Sequence, residues 1–270
     1  WCDEHSNDLV VVKPKSTVDK GRTWNETLLE QITERTSVVL ISSIHWMSGI
    51  KYDLEAIGQK CYETGTLFIV DGTQSVGALP MDVKKFKINA LVCAGYKWLM
   101  GPYSLALAYF DENFHHGTPL EESWMNRINA QEFSRLTQYE EEYLEGAGRF
   151  NVGETSNFIL MPMLKASLAQ IAEWKPENIQ QYCKELIQPL LSYLKHLGVE
   201  PEEEAFFSNH LFALNLPKEI DREKLTQLLL QNKVYVSVRG EFLRISVNVF
   251  NDEKDIEKLI ETIESARVAD

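Results

Sequence analysis

Two short stretches place a charge where an apolar run stops. Val70-Asp71-Gly72-Thr73-Gln74-Ser75-Val76-Gly77 ends the run "TLFIVD" on a carboxylate, and Val92-Cys93-Ala94-Gly95-Tyr96-Lys97-Trp98 follows the run "INALVCAG" with a lysine. Both runs are continuously apolar, rich in β-branched residues and bounded by glycine or proline, the pattern of a short buried strand in a parallel sheet. Ligands of open α/β sheets bind outside the carboxyl ends of the strands, so Asp71 and Lys97 are expected at one crevice. Singly, Asp71 could cap a following helix and Lys97 could be a surface lysine beside a loop. Together they are candidates for chemistry. Flanked by Tyr96, Trp98 and Leu99, the lysine sits in apolar company, where complete burial can lower an amine's pKa by up to ~3–5 units. A neutral amine attacks an aldehyde, which is what Schiff-base chemistry requires.

The elements that must position this pair follow from alternation along the chain. "DLVVV" (Asp8 to Val12), "SVVLISS" (Ser37 to Ser43), "TLFIVD", "NALVCAG" and "SLALAYF" (Ser104 to Phe110) read as strands, and the amphipathic "WNETLLEQITER" and "YDLEAIGQKCYETG" as helices between them. This is a βαβ pattern. From Asp111 to about Gly148 the alternation is lost, and loops with short helices are expected. "NFILMPMLKASLAQIAEW" and "PENIQQYCKELIQPLLSYLKHLG" then give two helical periods, with Gly198 as a C-cap. The remainder alternates strand-like and helix-like runs in a smaller α+β unit. The expected division is 1–148, a large α/β domain, and 149–270, a linker helix and small C-terminal domain.

Composition sets limits on function. With 270 residues, 44% of them hydrophobic and 25% charged, the chain can bury a sizeable core. Its formal net charge of −13, without a basic stripe, argues against nucleic acid as a partner. No apolar stretch is long enough to cross a bilayer and no leader is visible, so no membrane association and a cytoplasmic location are expected. Cys2, Cys61, Cys93 and Cys183 are far apart and form no CxxC. Neither a metal site nor a disulfide framework is suggested, and reduced thiols acting as small hydrophobes are expected for at least three of them.

The segment "DGTQSVGALPMDVKKFKINALVCAGYKWLMGP" resembles the cofactor segment of the class V aminotransferase family of pyridoxal-phosphate enzymes, the group of cysteine desulfurases, selenocysteine lyases, isopenicillin-N epimerase-like proteins and kynureninases. "SSIHWMSGIKYDLEAIG", "GRFNVGETSNF" and "SVRGEFLRISVNVFNDEKDIEKL" resemble further family segments in the same order. The resemblance implies the aspartate aminotransferase-like α/β fold, a large domain with a mainly parallel sheet plus a small C-terminal α+β domain. It implies pyridoxal 5′-phosphate as cofactor, an amino-acid substrate and a homodimer with the active site at the subunit interface. By the same resemblance, Lys97 holds the cofactor as a Schiff base and moves the substrate's α-proton, and Asp71 pairs with the pyridine nitrogen. Gln74 bonds the cofactor's phenolic oxygen, Tyr96 touches its phosphate, and Thr155 and Asn157 reach a neighbouring subunit's phosphate. Arg244 clamps the substrate carboxylate, and Trp46 lines the pocket.

Three departures qualify the resemblance. Cysteine desulfurases carry a nucleophilic cysteine just before the carboxylate-binding arginine, whereas "SVRGEFLRIS" has none. "HWMSG", with Trp46, stands where many members have asparagine, and resembles the kynureninase and epimerase-like branches. The chain opens on "WCDEHSND", in what the family treats as the middle of the large domain. The phosphate-cradling turn and the residue stacked on the cofactor ring are therefore expected to precede it. The leading expectation is a pyridoxal-phosphate enzyme with a lyase, epimerase or aminotransferase outcome. The alternatives are a non-catalytic or cofactor-free relative, a kynureninase-like hydrolase and, from a different class, a nucleotide-binding α/β module. The last is disfavoured because no GxGxxG or GxxxxGK[ST] follows a strand.

Overall fold

The computed structural model of the chain describes residues 2–16, 18–153, 155, 157–239 and 242–268. They pack as two compact units: one of Trp1–Ser37, Ile44–Thr66 and Asn178–Asp270, the other of Val38–Ser43 and Leu67–Glu177. Residues 148 and 149, where the sequence suggested a boundary, both lie in the second unit.

The second unit is built on a four-stranded sheet in the order β1 (Val38–Ser42), β2 (Leu67–Asp71), β3 (Ala90–Ala94), β4 (Ala106–Phe110). The first three strands run parallel and β4 is antiparallel to β3. Phe68 and Val70 of β2 are fully buried, and Ala90, Leu91 and Cys93 of β3 pack with them in the core. Asn89 ties three strands together: its Oδ1 accepts the Phe68 amide at 2.7 Å, its Nδ2 donates to Asp111 Oδ2 at 2.6 Å, and its carbonyl accepts the Asp111 amide at 2.8 Å. Burial on both faces, expected for a parallel sheet, is not realised. Val92 and, on edge strand β1, Val38 and Leu40 point to an open face, with Leu40 72% exposed. Short 3-10 turns fill the segment between residues 112 and 150, and α3 (Leu160–Trp174) follows.

The first unit contains α1 (Lys20–Gln31), α2 (Leu54–Thr64), most of α4 (Pro176–Leu186), α5 (Gln188–His196), α6 (Arg222–Gln231) and α7 (Glu253–Ser265). Its antiparallel sheet has the order β5 (Leu211–Asn215), β7 (Phe242–Ser246), β6 (Ser237–Arg239). Buried Asn25 joins α1 to the start of α2, since its Oδ1 accepts the Asp53 amide and its Nδ2 donates to the Gly21 carbonyl, both at 2.8 Å. Asp53 then caps α2 by accepting the Ala56 amide at 3.0 Å. The capping box Asp252/Asp255 starts α7 in the same way.

Two expectations need correction. "DLVVV" forms no strand: Leu9, Val10 and Val11 are exposed, and the segment joins no ladder among the described residues. Its apolar β-branched composition lacks a neighbouring strand to satisfy its backbone groups. The long helical period after Pro176 is two helices that break at Ile187, because Pro189 in the first turn of α5 has no amide to continue α4. Gly198 does sit just past the end of α5 with φ 73°, its amide on the Lys195 carbonyl at 3.0 Å.

Phe68→Ala is expected to destabilise the protein by about 3–5 kcal/mol in denaturant titration, the usual cost of emptying a fully buried aromatic site. Val10→Ser should stay within about 0.5 kcal/mol, as for an exposed side chain outside any ladder.

Candidate active site

Asp71 is the last residue of β2 and pairs in parallel register with Val92 of β3. The two strands stay together just beyond the sheet: the Gly72 amide donates to the Val92 carbonyl at 2.7 Å, and the Ala94 amide donates to Thr73 Oγ1 at 3.2 Å. The loops carrying Asp71 and Lys97 therefore leave the same edge of the sheet side by side. Asp71 is half-buried, and its Oδ1 accepts the Thr73 amide at 2.9 Å. This is an Asx turn and not a helix cap, since turns follow instead of a helix. Behind it lies a buried pair of hydroxyls, Ser43 and Ser75, whose Oγ atoms are 2.5 Å apart. Ser43 holds the Asp71 carbonyl through its amide at 3.0 Å, and Ser75 holds the Gly72 carbonyl through its amide at 2.9 Å.

Gln74 is buried, and its Oε1 accepts the indole N–H of Trp98 at 3.3 Å. Gly77 has φ 102°, and a side chain there would collide with the Trp98 carbonyl, so the loop after β2 lies flat against the loop after β3. The second loop is closed by the Gly101 amide on the Gly95 carbonyl at 2.8 Å, and the Lys97 carbonyl accepts the Met100 amide at 2.9 Å. Lys97 is half-buried, with its Nζ 5.8 Å from the centre of the Tyr96 ring. Tyr96 is 39% exposed and stacks on Tyr103, ring centres 4.3 Å apart. Burial pushes the Cys93 thiol up, and the Asp71 carboxylate adds to the effect. Thr155 is exposed, and Asn157 accepts the Leu160 amide at 2.8 Å at the start of α3.

Trp46 and Arg244 lie in the other unit, and there they meet. The segment His45–Ile50 is a tight turn: the His45 amide donates to the Ile50 carbonyl and the Gly49 amide to the His45 carbonyl, both at 2.8 Å. Gly49 has φ 74°, and a Cβ there would come 2.5 Å from the Leu211 carbonyl oxygen and the Phe212 Cα. The turn is docked on β5 by the Ala213 amide, which donates to the Ser48 carbonyl at 3.1 Å, and Ala213 is the strand partner of Arg244. Arg244 Nη1 thus reaches the Trp46 carbonyl at 2.7 Å, which steers one edge of the guanidinium fork. The Trp46 side chain is half exposed. His45 Nδ1 accepts the Ser48 amide at 3.2 Å, which selects the neutral Nε2–H tautomer. Burial, aided by the Lys20 charge, lowers the pKa of His45.

Comparison with known proteins gives the family and the fold. The profile of the family Aminotransferase class-V matches residues 4–259. The chain belongs to the class V aminotransferase family. Over 234 residues it is 22% identical to the uncharacterized aminotransferase YcbU of Bacillus subtilis (strain 168), covering 86% of this chain and 60% of YcbU. Over 77 residues it is 39% identical to the cysteine desulfurase IscS of Edwardsiella ictaluri (strain 93-146), 28% of this chain and 19% of that protein. Among solved structures it resembles the cystine C–S lyase C-DES, in complex with its product cysteine persulfide, with a TM-score of 0.77 at 20% identity over 90% of this chain and 65% of the lyase chain. That likeness establishes the fold, the aspartate aminotransferase-like α/β fold expected from the sequence. The chain spans 60% of the length of YcbU and 65% of the lyase. Members of the class V family use pyridoxal 5′-phosphate. Among the described residues no helix is long and apolar enough to cross a membrane.

The sequence pointed to Asp71, Gln74 and Lys97 but took Trp98 only as apolar flank. The signal for its second role was its type, because a half-buried indole needs an acceptor for its N–H.

The lowered pKa of His45 implies a pH effect. The unfolded chain binds a proton on this residue more readily than the folded one, so stability is complete above the ordinary histidine pKa of about 6.5 and falls as pH drops below it. His45→Gln should flatten the decline of Tm between pH 7.5 and 5.5. An unchanged slope would show that His45 is not the group responsible.

Proposed function

We propose that the protein is a pyridoxal-phosphate-dependent enzyme acting on an amino acid, with Lys97 as the residue that holds the cofactor. The observation that carries this is the departure of the Asp71 and Lys97 loops from one sheet edge, stitched by Gly72–Val92 and Ala94–Thr73 and bridged by Gln74 to Trp98. When bound, pyridoxal phosphate supplies an aldehyde that condenses with a primary amine and a cationic ring that withdraws electrons from the substrate's α-carbon. The donor set fits it. Lys97 offers the primary amine and, once displaced by substrate, a base for the α-proton. Asp71, oriented by the Thr73 amide, offers the carboxylate that keeps a pyridine nitrogen protonated. Gln74 offers a hydrogen bond to the phenolic oxygen.

In the same reading Tyr96, Thr155 and Asn157 serve the phosphate, and Trp46 lines the substrate pocket. Arg244, steered by the Trp46 carbonyl, takes the substrate carboxylate through a planar fork suited to two parallel bonds. The exposed apolar side chains Phe158, Ile159, Met161 and Met163 at the start of α3 support a homodimer built over this face. The buried thiols Cys61, Cys93 and Cys183 suit a reducing, cytoplasmic location. A division at 148/149 into cofactor domain and small domain belongs to the same proposal.

Desulfuration through a loop thiol is not part of this reading. The segment from Ser237 to Ser246 contains no cysteine. Burial pushes Cys61 and Cys183 up to about 11, far from a thiolate at neutral pH. Lyase, epimerase and aminotransferase outcomes all use Lys97, Asp71 and Arg244, and products distinguish them.

The full-length protein mixed with pyridoxal phosphate should develop a visible absorption band that borohydride bleaches. Screening amino acids while measuring pyruvate, alanine, sulfide and α-keto acids separately should identify the outcome. Lys97→Ala should lose band and turnover with its fold intact, and turnover near the parent's would overturn the assignment. Asp71→Asn should retain part of the cofactor binding yet slow α-proton removal by orders of magnitude, tenfold for each ~1.4 kcal/mol of lost transition-state stabilisation. An unchanged kcat would leave Asp71 with only its Asx turn.

A further inference from the structure

We infer that Trp98 is a positioning residue that fixes which edge of the Gln74 carboxamide faces the cofactor. The inference rests on the cofactor reading above and goes beyond it by assigning a role to a side chain outside the proposed contact set. A carboxamide presents an acceptor on one edge and a donor on the other, and the two are nearly the same shape, so an unanchored glutamine can turn over. An indole N–H can only donate. Its bond to Gln74 Oε1 at 3.3 Å therefore selects a single orientation, with the oxygen toward Trp98 and the –NH2 turned away from it.

The anchor is itself held in place. Gly77, in the same turn as Gln74, presses on the Trp98 carbonyl, and Leu99 beside it is buried. Gln74 is only 9% exposed, so solvent offers little competition for its amide. The orientation suits the ligand proposed. A phenolic oxygen that works as an oxyanion needs a donor, and an amide oxygen turned toward it would repel it. Trp98 follows Lys97 directly in the chain, so the group that sets the polarity of Gln74 is carried on the same loop as the amine.

The test uses the full-length protein loaded with pyridoxal phosphate and reads the pH midpoint of the visible band. Trp98→Phe keeps the ring and loses the N–H. Without that N–H the amide orientation is less firmly set, so the midpoint should rise and cofactor retention should weaken, with larger changes if the oxygen faces the cofactor. Gln74→Glu still accepts the indole N–H but, ionised, offers no donor, so its midpoint should rise further than that of Trp98→Phe. In a Gln74→Ala background Trp98→Phe should add no further shift, as for two residues acting through one contact. An unmoved midpoint in Trp98→Phe or Gln74→Glu would overturn the inference, as would an equal Trp98→Phe shift with and without Gln74. In either case a normal visible band in the parent leaves the cofactor reading standing. A parent that takes up no pyridoxal phosphate would overturn that reading, and this inference with it.

Discussion

The parallel pairing of β2 with β3 governs where the chemistry can be placed. Asp71 sits opposite Val92, and the pairing runs past the formal end of the strands through the Gly72 amide and the Thr73 hydroxyl. The two chains part only after this last stitch, so whatever follows them begins from nearly the same point. A slip of one residue would turn Asp71 to the opposite face of the sheet, because strand side chains alternate. The half-buried cross-links around Asn89 oppose such a slip, since its side chain bonds to both Phe68 and Asp111 and cannot serve both in another register. Site geometry is thus a product of core packing, and the loops need only short-range bonds to complete it.

The arginine turn obeys a different constraint. Its position is set by backbone contact, with Gly49 against Leu211 and Phe212 and the Ser48 carbonyl on the Ala213 amide. A main-chain carbonyl, that of Trp46, then orients Arg244. The carbonyl carries no formal charge, so this bond limits the rotational freedom of the arginine without itself neutralising it.

Much of this was legible in the sequence, and the misses share a cause. β2, β3, β4 and β7 and helices α2, α6 and α7 follow from local pattern, since apolar periodicity and capping residues are short-range signals. "DLVVV" shows the limit, because the same apolar signature needs a neighbouring strand that only the tertiary structure can supply. The open face at Val38, Leu40 and Val92 is of the same kind: sequence gives the apolar character of a strand but not which faces are covered. Residue types singled out Asp71, Lys97 and Arg244 as candidates, whereas the Trp98–Gln74 and Arg244–Trp46 contacts join residues 24 and 198 positions apart. Pairings at that separation depend on how loops fold back, for which a single sequence holds no periodic signal.

The discontinuity of the first unit has a consequence for biosynthesis. Its helices α1 and α2 are translated early, but α5 to α7 and the antiparallel sheet come only after the whole second unit has been made. As the chain leaves the ribosome, the four-stranded sheet and α3 can close while the early helices still lack their partners. Completing the first unit then requires closing a loop that contains an entire folded body. That contact is remote along the chain, which makes it a slow step relative to the local pairing of β3 with β4. The waiting segment includes the exposed Val10 and Val11 together with α1, whose buried Asn25 and Thr27 stay open to solvent until residues beyond Asn178 emerge.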